Sequence, residues 1–454
     1  MSLTSSSDSQ RAPNILERLQ RALGSRLGLF VLVGLHVIVS CASLVRVADY
    51  QSYMLYDAGR LHYALVAVMA FSTISLLFVF GRFSFGYFVG LNLFTMVLGF
   101  IWLNCFSKLN YDHTLAGFSA AASAALFLLP AVMIDAPFKQ KWALSPRAFE
   151  HLLKIILLLA AGTIVVASFY NFRLISMKSI YDFRNQLYFP PPIGHLIGIV
   201  STVLLPFVFA CYLALNRRWL AGLPLLLMLL FYPITLSKFA LFSAAWIVVM
   251  VVLSRAFESR TAVILSVLLP LLLGVILVGV LPHRYAYDYF NLVNIRMMAT
   301  PSSAMEFYND FFSSQPLTWF CQISFLKPLV SCPYQEQLSI VMEKAYGNLG
   351  KLNASLFATE GIASVGLYFA PLAALACGLV IAVGNRASAG LPPRFVLISS
   401  ALLPPAFLNV PFTTALLTHG AVFLFLLWYV TPRAMFEQGK HAVAASANPP
   451  LNVA

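Results

Sequence analysis

Apolar stretches of about twenty residues follow one another through most of this chain, and that repetition leaves few folds open to it. Inside a bilayer no water is available to the backbone, so a stretch of that length is stable only as a helix that closes its own hydrogen bonds. Spans are expected near 27–45, 61–80, 83–106, 114–134, 154–170, 193–215, 219–236, 239–253, 261–281, 354–383, 395–410 and 412–431. The seventh and eighth share one apolar run broken only by Ser237 and Lys238, which leaves a re-entrant pair as the alternative. Composition agrees: 60% of residues are hydrophobic and 10% charged, far from the roughly one-quarter charged of soluble domains. The expected fold class is an all-α polytopic helical bundle of about twelve spans.

Lys and Arg fall mostly on one side of this map, at Arg11, Arg18, Arg21, Arg26, Arg82, Lys139, Lys141, Arg147, Lys154, Arg217, Arg218, Arg255, Arg260, Arg386, Arg394, Arg433 and Lys440. Basic residues are retained in the cytoplasm, so both termini are expected there. The net charge of +13 then reflects topology and not nucleic-acid binding. No cleavage pattern follows the basic amino-terminal stretch, so the first span is expected to stay as an anchor. The organisation reads as a basic tail at 1–26, spans over 27–281, an external loop at 282–353, spans over 354–431 and a tail at 432–454.

The external loop is the one long polar interruption, and it gathers Arg284, Asp288, Arg296, Glu306, Asp310, Glu336, Glu343 and Lys351. These groups are expected at the membrane surface. Ser303 and Glu306 have capping-box spacing and predict a short amphipathic helix through Phe312, ended near Pro316. A second helix is expected over Tyr334–Tyr346, stopped by Gly347. Cys321 and Cys332 both lie in this loop, where an oxidising compartment permits a disulfide, whereas Cys41, Cys105, Cys211 and Cys377 belong to span interiors or ends. No zinc-ligand spacing, phosphate-cradling glycine loop or nucleophile elbow is present in the sequence, so neither metal nor cofactor is expected.

Several short motifs lie around this loop. Asn294-Ile-Arg296-Met-Met-Ala-Thr-Pro301 precedes Tyr308-Asn-Asp-Phe-Phe312, and Asn353-Ala-Ser-Leu-Phe-Ala-Thr-Glu360-Gly361 enters a span that continues with Gly366. Tyr181-Asp-Phe-Arg184-Asn follows the fifth span, and Ser237-Lys238 separates the seventh from the eighth. In these features the chain, from about 170 to 383, resembles the Wzy-type O-antigen polymerases, the oligosaccharide repeat-unit polymerases of Gram-negative inner membranes. Lysine in place of arginine at 238 and serine in place of asparagine at 355 depart from that pattern. The resemblance implies a GT-C-like scaffold in the bacterial inner membrane. It also implies a metal-independent enzyme that polymerises undecaprenyl-diphosphate-linked oligosaccharides outside the cytoplasm, beside a flippase and a chain-length regulator, with no nucleic acid involved.

For such a reaction, fixed guanidinium groups stabilise the charge that develops on a departing lipid diphosphate. Arg184 and Arg296 are the expected catalytic cations, with Arg173, Lys238 and Arg284 in substrate binding beside Tyr181, Tyr308 and Asn353. Glu360, a lone acid a turn or two inside the tenth span, is the candidate base; Asp182, Asp288 and Asp310 read as solvated or capping residues, and His195 and His283 as headgroup contacts. Two other functions compete. An O-antigen ligase uses the same donor, but only His283 is available for its histidine motif. A transporter or flippase places ionisable groups at mid-bilayer, where this chain offers only Glu360, His36 and His419.

Overall fold

The computed structural model describes residues 15–47, 51, 53–176, 179–180, 183, 186–347 and 352–436. A short helix, α1 (Ile15–Gly24), leads into ten helices long and apolar enough to cross a membrane. These are α2 (Arg26–Val47), α3 (Ala58–Phe80), α4 (Phe85–Asn104), α5 (His113–Met133), α6 (Pro146–Ser168), α7 (Pro191–Ala214), α8 (Arg218–Thr235), α9 (Lys238–Ala256), α10 (Ser259–Val280) and, beyond the loop, Phe357–Ser388. Each matches an expected span. Several begin at a side chain that takes up a free backbone donor: Ser84 accepts from the Tyr87 N–H, Asp112 from Leu115 and Ser145 from Ala148. The helix α4 is buried from Phe85 to Leu103 and forms the hub of the bundle.

The loop between α10 and Phe357–Ser388 differs from its expectation. Residues 283–312 form one uninterrupted helical stretch, α11, made of His283–Phe290, wide π turns over Asn291–Ala299, and Thr300–Phe312. Its Asn294 donates to the Leu271 carbonyl at 2.9 Å, nine residues in from the end of α10, and to Ser43 Oγ of α2 at 3.0 Å. Further along, Ser302 donates to the Met96 carbonyl of α4 at 2.8 Å. Two glycines make this approach possible. A Cβ on Gly274 would stand 1.8 Å from Asn294 Oδ1, and one on Gly99 2.3 Å from Ser302 Oγ. The stretch therefore inserts among the spans and does not rest on the surface. Ser303 lies inside it and bonds Gln51 Oε1 at 3.3 Å, so no capping box opens a helix there.

After α11 comes α12 (Leu338–Tyr346), ended as expected by Gly347 at a left-handed φ of 64° but starting four residues later than Tyr334. Cys321 and Cys332 are bridged. The next helix, α13 (Phe357–Ser388), breaks at Gly366, where φ is 71° and ψ 173°. The break strands two carbonyls, and the loop satisfies both: Thr318 N–H donates to Ala363 O at 2.8 Å and Trp319 N–H to Ser364 O at 3.1 Å. Trp319 and Phe320 adopt left-handed φ values of 48° and 63° to do so, conformations that a non-glycine residue holds only under surrounding constraint. Pro371 lacks an N–H, and the Leu367 carbonyl it leaves free accepts from Ser119 Oγ at 2.6 Å.

The two final expected spans are not continuous. They become α14 (Pro393–Ser399) and α15 (Leu403–Phe407), then α16 (Phe412–Leu417) and α17 (Ala421–Val430), each well short of a crossing length of about 20 residues. Pro404, Pro405 and Pro411 withhold donors, and Gly420 turns the chain at φ 84°. Among the described residues, then, ten helices are long and apolar enough to cross a membrane, and the last two expected spans are present as four short helices.

Two outcomes are expected. Gly274→Ala, which overpacks a tight contact, loses about 1–3 kcal/mol of stability. Much of that loss returns when Asn294→Ala clears the space; strictly additive losses in thermal unfolding would show that the two positions do not meet. Cys321 and Cys332 should resist alkylation of the intact protein until reductant is added, and equal labelling before and after reduction would exclude the bridge.

Candidate functional site

At the end of the bundle that carries α11, two regions hold the candidate residues. The first forms where α8 stops. Leu236 turns left-handed at φ 47° and Ser237 is extended, so the carbonyls closing α8 have no helical partner. The segment after α6 supplies donors: Asn171 Nδ2 reaches Pro233 O at 3.1 Å and Ile234 O at 2.8 Å, and the Arg173 N–H reaches Pro233 O at 2.9 Å. Tyr232 Oη in turn donates to Ile175 O at 2.5 Å. A small apolar cluster of Ile180, Tyr232 and Leu236, with Phe183 and Leu187 against it, holds the two segments together. Arg173 is exposed, its guanidinium 5.7 Å from the Phe183 ring centroid, and half-buried Lys238 is the first residue of α9 after the same turn. Tyr181, Asp182 and Arg184 lie outside the described residues, as does Lys351.

The second region is α11. Asn294, Met298, Ser302 and Glu306 recur every four residues and are all buried, which leaves Arg296 on the outward face with its side chain exposed. Arg284 is also exposed; it lies over the Tyr285 ring and donates to that hydroxyl. Tyr308 is only 1% exposed and packs beside Phe312 in the interior. Among the described residues, no hydrogen bond or ring contact joins Arg296 to Arg173 or Arg284.

Glu360, in the first piece of α13, is buried and both its oxygens are engaged. Oε2 accepts from Thr359 Oγ1 at 2.5 Å, and Oε1 accepts from the Thr413 N–H at 3.2 Å. Thr413 belongs to the first turn of α16, whose N-cap is Pro411, a residue with no side-chain acceptor. Glu360 therefore caps α16 across the bundle, in place of the loop-arginine partner that a buried acid would otherwise need. Asn353 is exposed just ahead of this piece, while Ser355 is buried. His195 is exposed, with Nδ1 3.1 Å from Thr418 Oγ1; Asp288 is exposed on α11; and the His283 side chain is outside what is described.

Two acids of α11 have structural settings that the sequence pattern did not single out. Asp310 accepts from the Asn110 N–H at 2.7 Å and from Tyr346 Oη at 2.5 Å, and so ties α12 to the turn between α4 and α5. Glu306 is wholly buried, with no hydrogen bond to either carboxyl oxygen. Burial drives its carboxyl well above the ordinary range, and the nearby Ser107 hydroxyl opposes that only in part. The four-residue recurrence from Asn294 to Glu306 was the signal in the sequence that could have placed Glu306 on an inward face. Among the described residues no three His, Cys, Asp or Glu side chains gather in a way that could hold a metal ion.

Compared with known proteins, the chain matches no family model, no curated protein and no solved structure.

The capping geometry of Glu360 separates two roles. Glu360→Gln, which keeps a side-chain oxygen for Thr413, should fold and function close to the parent. Glu360→Ala, which removes a cap, should lose about 0.5–2 kcal/mol. A Gln variant that is fully stable yet inactive would instead return Glu360 to the chemistry.

Proposed function

We propose that this protein is a membrane-embedded glycosyltransferase that joins oligosaccharide repeat units carried on undecaprenyl diphosphate, at the periplasmic face of a bacterial inner membrane. In the reaction a hydroxyl oxygen of the acceptor saccharide attacks the anomeric carbon of the donor glycan. The carbon–oxygen bond to the donor's diphosphate breaks, undecaprenyl diphosphate leaves, and the hydroxyl proton passes to water or to the departing phosphate. The main requirement is a fixed positive charge where negative charge gathers on the leaving group.

One observation carries the reading: Arg296 is presented outward from a helix that Asn294 and Ser302 lock against three spans. A guanidinium on so firmly held a backbone loses little on meeting a diphosphate, and its planar donors suit phosphoryl oxygens. Arg184, Arg173, Lys238 and Arg284 are the further cations of this reading, and exposed Asn353 is an available hydrogen-bonding group at the same end. Surrounding lipid, a flippase and a chain-length regulator are the partners it entails.

A second reading, a lipid-linked saccharide transporter, draws on the broken helices. The gap at Gly366, the four short closing helices and the buried acid at the start of α16 resemble the discontinuous helices on which carriers build their sites.

Surface polysaccharide from a deletion strain complemented with variants distinguishes them. Under the polymerase reading, Arg296→Ala reaches the membrane at normal level and yields core bearing a single repeat unit, and Arg296→Lys restores little of the ladder. A normal long-chain ladder from Arg296→Ala would remove the assignment. Loss of every surface repeat unit, with lipid-linked units accumulating on the cytoplasmic side, would favour the transporter.

A further inference from the structure

The Glu306 carboxyl lies where three segments of the chain converge, and the groups they bring to it are oxygens. Ser107 comes from the turn after α4, where residues 54 and 107 form a single β-bridge. Tyr53 packs its ring on Phe307 of α11, 4.7 Å between centroids, and the Tyr111 hydroxyl donates to Asn104 Oδ1 at 3.0 Å in the turn that carries Ser107. Ser303 Oγ and Gln51 Oε1 are 3.3 Å apart. Asn309, one turn along α11, has a buried Oδ1 with no hydrogen bond, its amide nitrogen being committed to Met305 O at 2.8 Å. Neither carboxyl oxygen of Glu306 has a hydrogen-bond partner among the described residues.

A carboxylate cannot remain charged out of water with nothing to offset it. A bound proton or an arginine or lysine partner is the usual remedy, but the groups gathered here are hydroxyl and amide oxygens, which equally suit a metal cation. Hard cations choose such a set, and imidazole or thiolate ligands are not needed for them. A single positive charge balances the one carboxylate, whereas a divalent ion would leave a net charge stranded in a dry interior. Gln51 and Tyr53 are half-buried, so the group has a side that is not sealed within the bundle. We propose that Glu306, with Ser107 and the Tyr53–Ser303–Gln51 group, forms a binding site for a monovalent hard cation of sodium type. Its place on α11 puts the site on the same helix as Arg296, two and a half turns away along continuous backbone, with π turns between. Occupancy would fix the register of α11 against the segment 51–55 and the turn at 105–110. This inference does not depend on which of the two functions above is correct.

The test uses the full-length purified protein in lipid nanodiscs, with thermal unfolding followed as sodium chloride replaces choline chloride at constant ionic strength. Sodium should raise the unfolding temperature of the parent saturably. Glu306→Gln should stay folded and lose that dependence. Ser107→Ala, which removes one neutral oxygen, should move the sodium midpoint about tenfold higher, the equivalent of one modest ligand. Retention of radioactive sodium by the parent, and its loss in Glu306→Gln, gives a second readout if either variant folds poorly. A parent indifferent to the exchange of sodium for choline overturns the proposal, as does a sodium shift that persists undiminished in Glu306→Gln. A parent that ignores sodium but loses stability as pH rises would show that the carboxyl holds a proton, which equally defeats a cation site.

Discussion

The seating of α11 into the notches at Gly99 and Gly274 is the contact on which the rest of this architecture turns. In an apolar interior, helices gain little from hiding hydrophobic surface from one another, so close backbone approach and interhelical hydrogen bonds decide which of them pack. Asn294 and Ser302 supply the hydrogen bonds, and the two glycines supply the space. Because these residues share one face, everything else on the helix is assigned by rotation: Glu306 goes inward and Arg296 outward. A stretch that could have been a loose external loop becomes a rigid part of the bundle.

The same demand for satisfied backbone groups explains the breaks. Wherever a helix stops inside the fold, another segment arrives with the missing partner. Asn171 and Arg173 meet the carbonyls ending α8, Thr318 and Trp319 meet those stranded at Gly366, and the Glu360 carboxylate meets the donors opening α16. Each is a tie between sequence-distant regions, and each lies toward the polar segments where the candidate residues sit. Pinning those segments is what allows exposed cations such as Arg173 and Arg296 to be held in place by backbone rather than by long flexible side chains.

Much of this was legible in the linear chain. The first ten spans followed from apolar length, the end of α12 from Gly347, and the bridge from two cysteines placed together in the loop. The failures share a cause. Residues 395–410 and 412–431 have the apolar length of spans, but proline and glycine cut them into short helices whose ends only the folded bundle can satisfy. Ser303 and Glu306 carry the spacing of a helix start, yet the helix had begun twenty residues earlier, because contacts with α10 and α4 outweigh a local capping signal.

By itself, then, the sequence determined that this is a helical membrane protein, where most of its spans lie, and which polar stretch gathers its charges. Hydrophobic length and backbone hydrogen bonding are local properties, and they can be read residue by residue. Tertiary structure decided the surroundings: that Glu360 accepts from the Thr413 N–H, that Tyr308 and Glu306 are buried and that Arg296 is exposed. Those outcomes depend on which distant segment comes to rest against each side chain, and no local pattern carries that information.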